Sequence, residues 1–410
     1  MAFEKLYYLS VYLTFTISAR GRSAKGGEEK QMNKSKTPAQ KKITEKQICA
    51  LVKKHGTPLF IISRSELAHN LERFKRLLPR VEPFYAVKAN SHLEILKTFS
   101  KKDLCFDVAS RGEMEALFSQ GVSADRMLFA NTIKKIETLK YVKAHGIKRM
   151  TFDSEYELYK ISEYAPGSEV IIRIKVDNVG SIVELSVKFG VEAADAIPLL
   201  IKAHKLGLKP VGISFHVGSQ CLKVENYIEA LEMASIVMRD AKLKQLPLEI
   251  VDIGGGFPIK HFEHEEDYFA KMAPVVNKEI NRLFDPSVRI ISEPGRAMVG
   301  NACTLVMSVI GKSIRFNKHW YYLDDGIYGS LSGLLYDHCK YQYKTLRKGK
   351  SQISTLAGPT CDGLDVISYT EEMPELEIGD LIYASNIGAY SIASATNFNS
   401  VPQAKVIAVD

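Results

Sequence analysis

Short apolar runs punctuate the chain at a regular interval. FYAV (84–87), CFDV (105–108), MLFA (127–130), RMTF (149–152) and VIIRI (170–174) begin 21 or 22 residues apart, and VGISF (211–215), EIVD (249–252) and RIIS (289–292) follow at about twice that interval. Between them lie stretches in which apolar positions recur every three or four residues, as over 113–120 and 227–242, the period of a helix with one buried face. Strands alternating with helices predict a parallel sheet with right-handed crossovers. Eight such units predict a closed (β/α)8 barrel of the TIM type, spanning 58–299. An earlier helix is expected over 43–54. A further one begins after Ser63, where Leu67, Leu71, Phe74 and Leu78 share a face and Ser63 with Glu66 has capping-box spacing.

After residue 300 the rhythm changes. TLVMSVIG, HWYYLDDG, LIYAS and AKVIAV are strand-like and are separated by short turns. They predict a second, mainly β domain over 300–410, joined by the segment 43–57.

In a barrel of this kind the chemistry gathers at the C-terminal ends of the strands. Those ends carry Lys88, Asp107, Asn131, Asp153, Arg173, His216, the glycines at 254–256 after Asp252, and Glu293. Strand ends are generally more polar than strand middles, which accounts for part of this set. It accounts less well for a lysine, an arginine, a histidine and a glutamate converging on one mouth. A lysine there can bond covalently to an aldehyde cofactor, and burial is expected to lower its pKa and free the amine. GGGFP (254–258) offers backbone N–H groups to a phosphate, and EPGR (293–296) adds a guanidinium beside a carboxylate. Glycine turns are common and the Glu293–Arg296 pair could be a local salt bridge, so each signal alone is weak. His216 could stack on a planar ring, with Ser219 close behind.

The net charge of +8 points at first to nucleic acid. However, residues 1–60 hold 12 Lys+Arg against 4 Asp+Glu, and the remainder balances at 43 of each. The excess is a basic leader, 1–42, and no nucleic-acid partner is expected. Within it, LYYLSVYLTFTIS (6–18) is too short for a membrane span. Its readings are a signal-peptide core or a mis-assigned start, and the preferred one is a true start near Met32. Six cysteines without CxxC or metal-like spacing fit free thiols in a reducing, cytoplasmic setting, and no metal is expected.

PFYAVKAN, FDVASRGE, LSVKFG, FHVGSQ, DIGGGFP, EPGR, LLYDH, GPTCDGLD and IGAYSIASATNFN together resemble the ornithine decarboxylase branch of the alanine racemase-like pyridoxal phosphate (PLP) enzymes, in family order from about residue 58 to 405. The resemblance implies that Lys88 bonds PLP, that Glu293 pairs with its ring nitrogen and that His216 stacks on the ring. It assigns the phosphate to Ser219, Gly255, Gly256, Arg296 and Tyr390, and a polar shell to Asp107, Glu113 and Arg173. For the substrate it implies Tyr336 and Asp337 in LLYDH, with Cys361 as the proton donor to the α-carbon and Asp362 as a second carboxylate for the distal amine. Cys361 and Asp362 would reach the neighbouring subunit's site, so a homodimer with shared active sites is implied. The expected reaction is decarboxylation of L-ornithine to putrescine, with lysine to cadaverine as a side or equal activity. A lysine-preferring or other basic amino acid decarboxylase and a non-catalytic regulatory homologue are the alternatives. Diaminopimelate is disfavoured because CDGLD stands where that branch carries a CE-type motif.

Overall fold

The computed structural model describes residues 43–183 and 187–410. The basic leader lies outside the described residues, as do Leu185 and Ser186 of LSVKFG.

The parallel barrel closes from eight strands: Val81–Ala86, Cys105–Val108, Met127–Phe129, Arg149–Phe152, Glu169–Arg173, Lys209–Ser214, Ile250–Asp252 and Arg289–Ser292. Each overlaps one of the eight apolar runs. The last strand pairs with the first, Ile291 opposite Glu82, which closes the ring. Both faces of each strand are covered, so the runs are nearly all apolar rather than alternating. One set of side chains, including Phe84, Leu128, Ile171, Ile250 and Ile291, fills the barrel axis. Their neighbours Tyr85, Phe106, Phe129, Ile172, Val251 and Ile290 point outward and pack under the helices. The helices begin where the sequence supplies caps: Ser63, Ser110 and Ser154 each accept the backbone N–H three residues on.

The second body is an eight-stranded sheet. Its longest strand, Cys303–Arg315, pairs antiparallel with Lys318–Leu323 on one side and Leu381–Ser385 on the other. One boundary differs from the sequence expectation. LFIIS (59–63), assigned above to the barrel segment, is a strand of this sheet, antiparallel to Cys303–Arg315 and parallel to Lys405–Val409. The physical reason is burial on both faces: Phe60 and Ile62 join the large core, while Leu59 and Ile61 pack with Ile48 of the helix Glu45–His55 and Val306. Among the described residues no helix is long and apolar enough to cross a membrane.

Candidate active site

The barrel floor fixes what stands above it. Side chains alternate along a strand, so the residue two places after an inward apolar one also faces the axis. Ile171 is followed by Arg173, Ile250 by Asp252 and Ile291 by Glu293. The strand beneath Lys88 starts earlier than expected, at Val81, and ends at Ala86; Lys88 sits on the short 3-10 turn Val87–Ala89 just beyond it. That turn aims the amine back over the mouth, where Nζ lies 2.5 Å from Asp107 Oδ2.

Burial opposes the charge on Lys88, yet Asp107 and then Glu293 outweigh it and raise its pKa. The expected lowering is therefore reversed: 42% of the side chain is accessible, and the carboxylates around the amine keep it charged. Asp107 is 1% exposed and its Oδ1 has no hydrogen-bond partner. Glu113 accepts the Ala109 N–H at 2.6 Å. Burial, with a smaller push from Asp107, drives it up to about 7.

Two buried carboxyl groups, Asp252 and Glu293, hydrogen-bond to each other, and burial raises the pKa of both. Like charges this close in a dry site do not both ionise, so the pair holds a shared proton. His216 lies near Arg173 and Lys88. Burial, with those two cations, keeps it neutral. Its Nδ1 accepts the Gly218 N–H at 3.0 Å, which leaves the ring proton on Nε2.

The glycine turn is shaped by contact. A Cβ on Gly255 would lie 2.6 Å from the Glu293 carbonyl and 3.0 Å from His216 Nε2, and one on Gly256 2.3 Å from the Gly218 carbonyl. Beside it Arg296 is 5% exposed, lies 5.2 Å over the Tyr390 ring and donates to Ser219 Oγ at 3.3 Å. Tyr390 is delivered from the β sheet. Its N–H donates to Ala89 O, while Asn90 Nδ2 reaches Gly388 O, so the IGAY loop is clamped onto the Lys88 turn.

Lys88, Asp107, Glu113, Arg173, His216, Glu293 and Tyr390 thus form one interacting cluster, and Ser219, Gly255, Gly256 and Arg296 border it. The β-domain residues are placed differently. Asp337 is already engaged: at the end of the short helix Gly333–Tyr336 it accepts a hydrogen bond from Arg296 and another from Cys339 Sγ at 2.9 Å. Tyr336 is exposed. Cys361 is exposed as well, with its N–H on Asn399 Oδ1, and Asp362 bonds Tyr328 Oη and the Leu364 N–H. Both lie on the loop between the strands Gln352–Ala357 and Val366–Met373, away from Lys88 in sequence by nearly the whole barrel. A cavity of about 630 Å³ opens elsewhere, lined by Glu66, Asn70, Arg73 and His261 among others. Arg73 there is paired with Asp267 and Asn70 with Asn301, and none of the cluster residues lines it.

Two participants escaped the sequence reading. Asp252 was visible as the inward position after Ile250. Cys339 carried no signal, since its place beside Arg296 depends on how the sheet meets the barrel.

PLP fits this donor set. A shared-proton carboxyl pair suits a ring nitrogen, a neutral imidazole suits a planar ring, and the glycine turn with Arg296, whose buried Nε has no partner, suits a phosphate.

Comparison with known proteins agrees. Residues 64–300 match the family described as pyridoxal-dependent decarboxylase, pyridoxal binding domain. The lysine/ornithine decarboxylase of Selenomonas ruminantium is 41% identical over 358 residues, covering 87% of this chain and 91% of that protein. Antizyme inhibitor 2 of Xenopus laevis is 37% identical, covering 85% and 80%. The crystal structure of lysine/ornithine decarboxylase from Vibrio vulnificus complexed with cadaverine superposes with a TM-score of 0.83 at 34% identity, covering 88% of this chain and 95% of that one.

Proposed function

The chain belongs to the pyridoxal-dependent decarboxylases, and from that premise we propose that it is a PLP-dependent carboxy-lyase converting L-ornithine to putrescine and CO2, with lysine to cadaverine as a second activity. The observation that carries this reading is the barrel-mouth cluster: Lys88 on Asp107, the buried carboxyl groups of Asp252 and Glu293, and the buried His216 imidazole that accepts the Gly218 N–H. The Selenomonas and Vibrio relatives named for ornithine and lysine support the substrate class.

PLP, when bound, supplies an electron sink for the pair left behind as CO2 departs. The chain's own groups do the rest. Lys88 must give up a proton before its nitrogen can bond to carbon, and Asp107 holds that amine at the barrel mouth. Glu293, backed by Asp252, holds a proton at the ring nitrogen. His216 offers a flat, uncharged face. The backbone N–H groups at 255 and 256, with Ser219, Arg296 and Tyr390, hold the phosphate, while Glu113 and Arg173 orient Lys88 and the cofactor. Asp337 and Asp362 receive the distal ammonium, which needs buried anions in place of its water. Cys361 returns a proton to the α-carbon.

Cys361 and Asp362 act in a partner subunit's site. The exposure of Cys361, on the same loop as exposed Leu364, supports this. The residues that a non-catalytic homologue could dispense with, Lys88, Arg296, Cys361 and Asp362, are all present.

The test is kcat/KM for ornithine, lysine, arginine and diaminopimelate measured side by side. Ornithine is expected first and lysine within about 200-fold, since one methylene in a pocket is worth roughly 1–3 kcal/mol. Turnover of none of the four overturns the reading.

A further inference from the structure

Arg296 stands between two sites that the proposed function keeps separate. Its Nη2 donates to Asp337 Oδ2 and to Ser219 Oγ, 3.3 Å away. Its Nη1 is 3.2 Å from Cys339 Sγ, and that thiol in turn is 2.9 Å from the same Asp337 oxygen. Its Nε is buried and has no partner. Both members of the ion pair are nearly closed to solvent, at 5% for Arg296 and 7% for Asp337. Burial pushes the Cys339 thiol up to about 11, so it stays a neutral donor to Asp337. His261, near this pair, is held neutral by burial and by Arg296, at about 4. Asp337 is therefore the carboxylate that balances Arg296.

An anion with several oxygens grips a guanidinium best along one edge, through two parallel N–H bonds. The edge with the unpartnered donor is Nε–Nη2, and Nη2 is the nitrogen that Asp337 holds. A phosphate and Asp337 thus compete for one atom. An Asp337 committed to Arg296 is equally a poor receptor for an ammonium, because its charge is already neutralised at contact distance.

Resting on the function proposed above, we propose that Arg296 and Asp337 form a switch that orders binding: a phosphate that engages Arg296 releases Asp337, and the released carboxylate becomes the receptor for the substrate's distal ammonium. The apoprotein then holds its substrate carboxylate locked, and diamino acids bind well only after the cofactor has arrived. Linkage makes the effect reciprocal, so a diamine that captures Asp337 frees Arg296 and tightens the phosphate.

The test is binding, with no turnover needed. Full-length protein is stripped of PLP, and putrescine affinity is measured by calorimetry with and without saturating inorganic phosphate. PLP affinity is measured separately from the visible absorbance of the bound cofactor. In the wild type, phosphate is expected to tighten putrescine by at least about fivefold. Asp337→Asn is expected to bind PLP at least about threefold more tightly, since the competitor is gone, and to lose the phosphate–putrescine coupling. Direct attraction between phosphate and diamine would survive that substitution, so coupling that persists in Asp337→Asn overturns the switch. So does weaker PLP binding by Asp337→Asn, which would make Asp337 a mere prop for Arg296. Should the variant not fold, the wild-type measurement decides alone: unchanged putrescine affinity with phosphate sinks the switch. Wild-type protein that takes up PLP but shows no coupling refutes only the switch, whereas protein that takes up no PLP refutes the functional reading and the switch with it.

Discussion

Lys88 and Asp107 are 19 positions apart and meet at 2.5 Å across two neighbouring strands. The contact shows how a barrel mouth overrides a residue's isolated tendency: burial would discharge the lysine, but Asp107 and Glu293 nearby keep it charged. Glu113 runs the other way. Its native pKa, up to about 7, lies above the ordinary 4.5. The folded state holds that proton more tightly than the unfolded chain, so the stabilisation is complete below pH 4.5 and is lost as pH rises through 7. Glu113→Gln keeps an acceptor for the Ala109 N–H and removes the titration. In cofactor-free protein, its melting temperature relative to wild type should rise by about 2 °C or more between pH 5 and pH 8. A difference that stays flat across that window would place the perturbed proton elsewhere. For Asp362, truncation to alanine should raise KM for ornithine on the order of tenfold or more while leaving PLP absorbance intact, because a desolvated ammonium loses a charged partner. An unchanged KM would move the distal-amine site to other residues.

Among the elements, the glycine-rich turn shows most clearly what a local sequence is for. Gly254 and Gly121 both have left-handed backbones, φ +65 and +73, but a Cβ on Gly254 would lie 2.2 Å from the Phe215 carbonyl, whereas one on Gly121 meets nothing within 4 Å. Gly121→Ala should cost about 1–2 kcal/mol of conformational strain. Gly254→Ala adds a backbone collision and should cost at least about 3 kcal/mol, with loss of PLP uptake. Denaturant melts of the pair separate strain from space, and equal losses would show that packing at the turn is slack. The strands of the barrel were readable because each is short, apolar and evenly spaced. The strand ends were readable because period two carries the inward direction from Ile171 to Arg173 and from Ile291 to Glu293. The assignment of LFIIS to the sheet was not readable: its apolar run looks like any buried strand, and its partners lie about 240 and 345 residues away. Nor was the engagement of Asp337 by Arg296, which depends on the sheet's docking rather than on spacing.

For the whole molecule, the proposed sharing of sites between subunits predicts complementation. Lys88→Ala and Cys361→Ala chains, each inactive alone, should regain about a quarter of wild-type activity when mixed and allowed to exchange. Half the dimers are then mixed, and each of these has one intact site. No recovery, with exchange shown by mass, would confine each site to one chain. A separate consequence follows from the strand Leu59–Ser63, which sits between Cys303–Arg315 and Lys405–Val409. The barrel's eight strands are complete once residue 292 has left the ribosome, and they pair mostly with close neighbours in sequence. The sheet cannot close until its last strand is made, so its first strand waits unpaired through most of synthesis. A nascent chain halted before residue 405 should therefore carry a folded barrel beside an open, protease-sensitive edge, and the final few residues convert that edge into a seam.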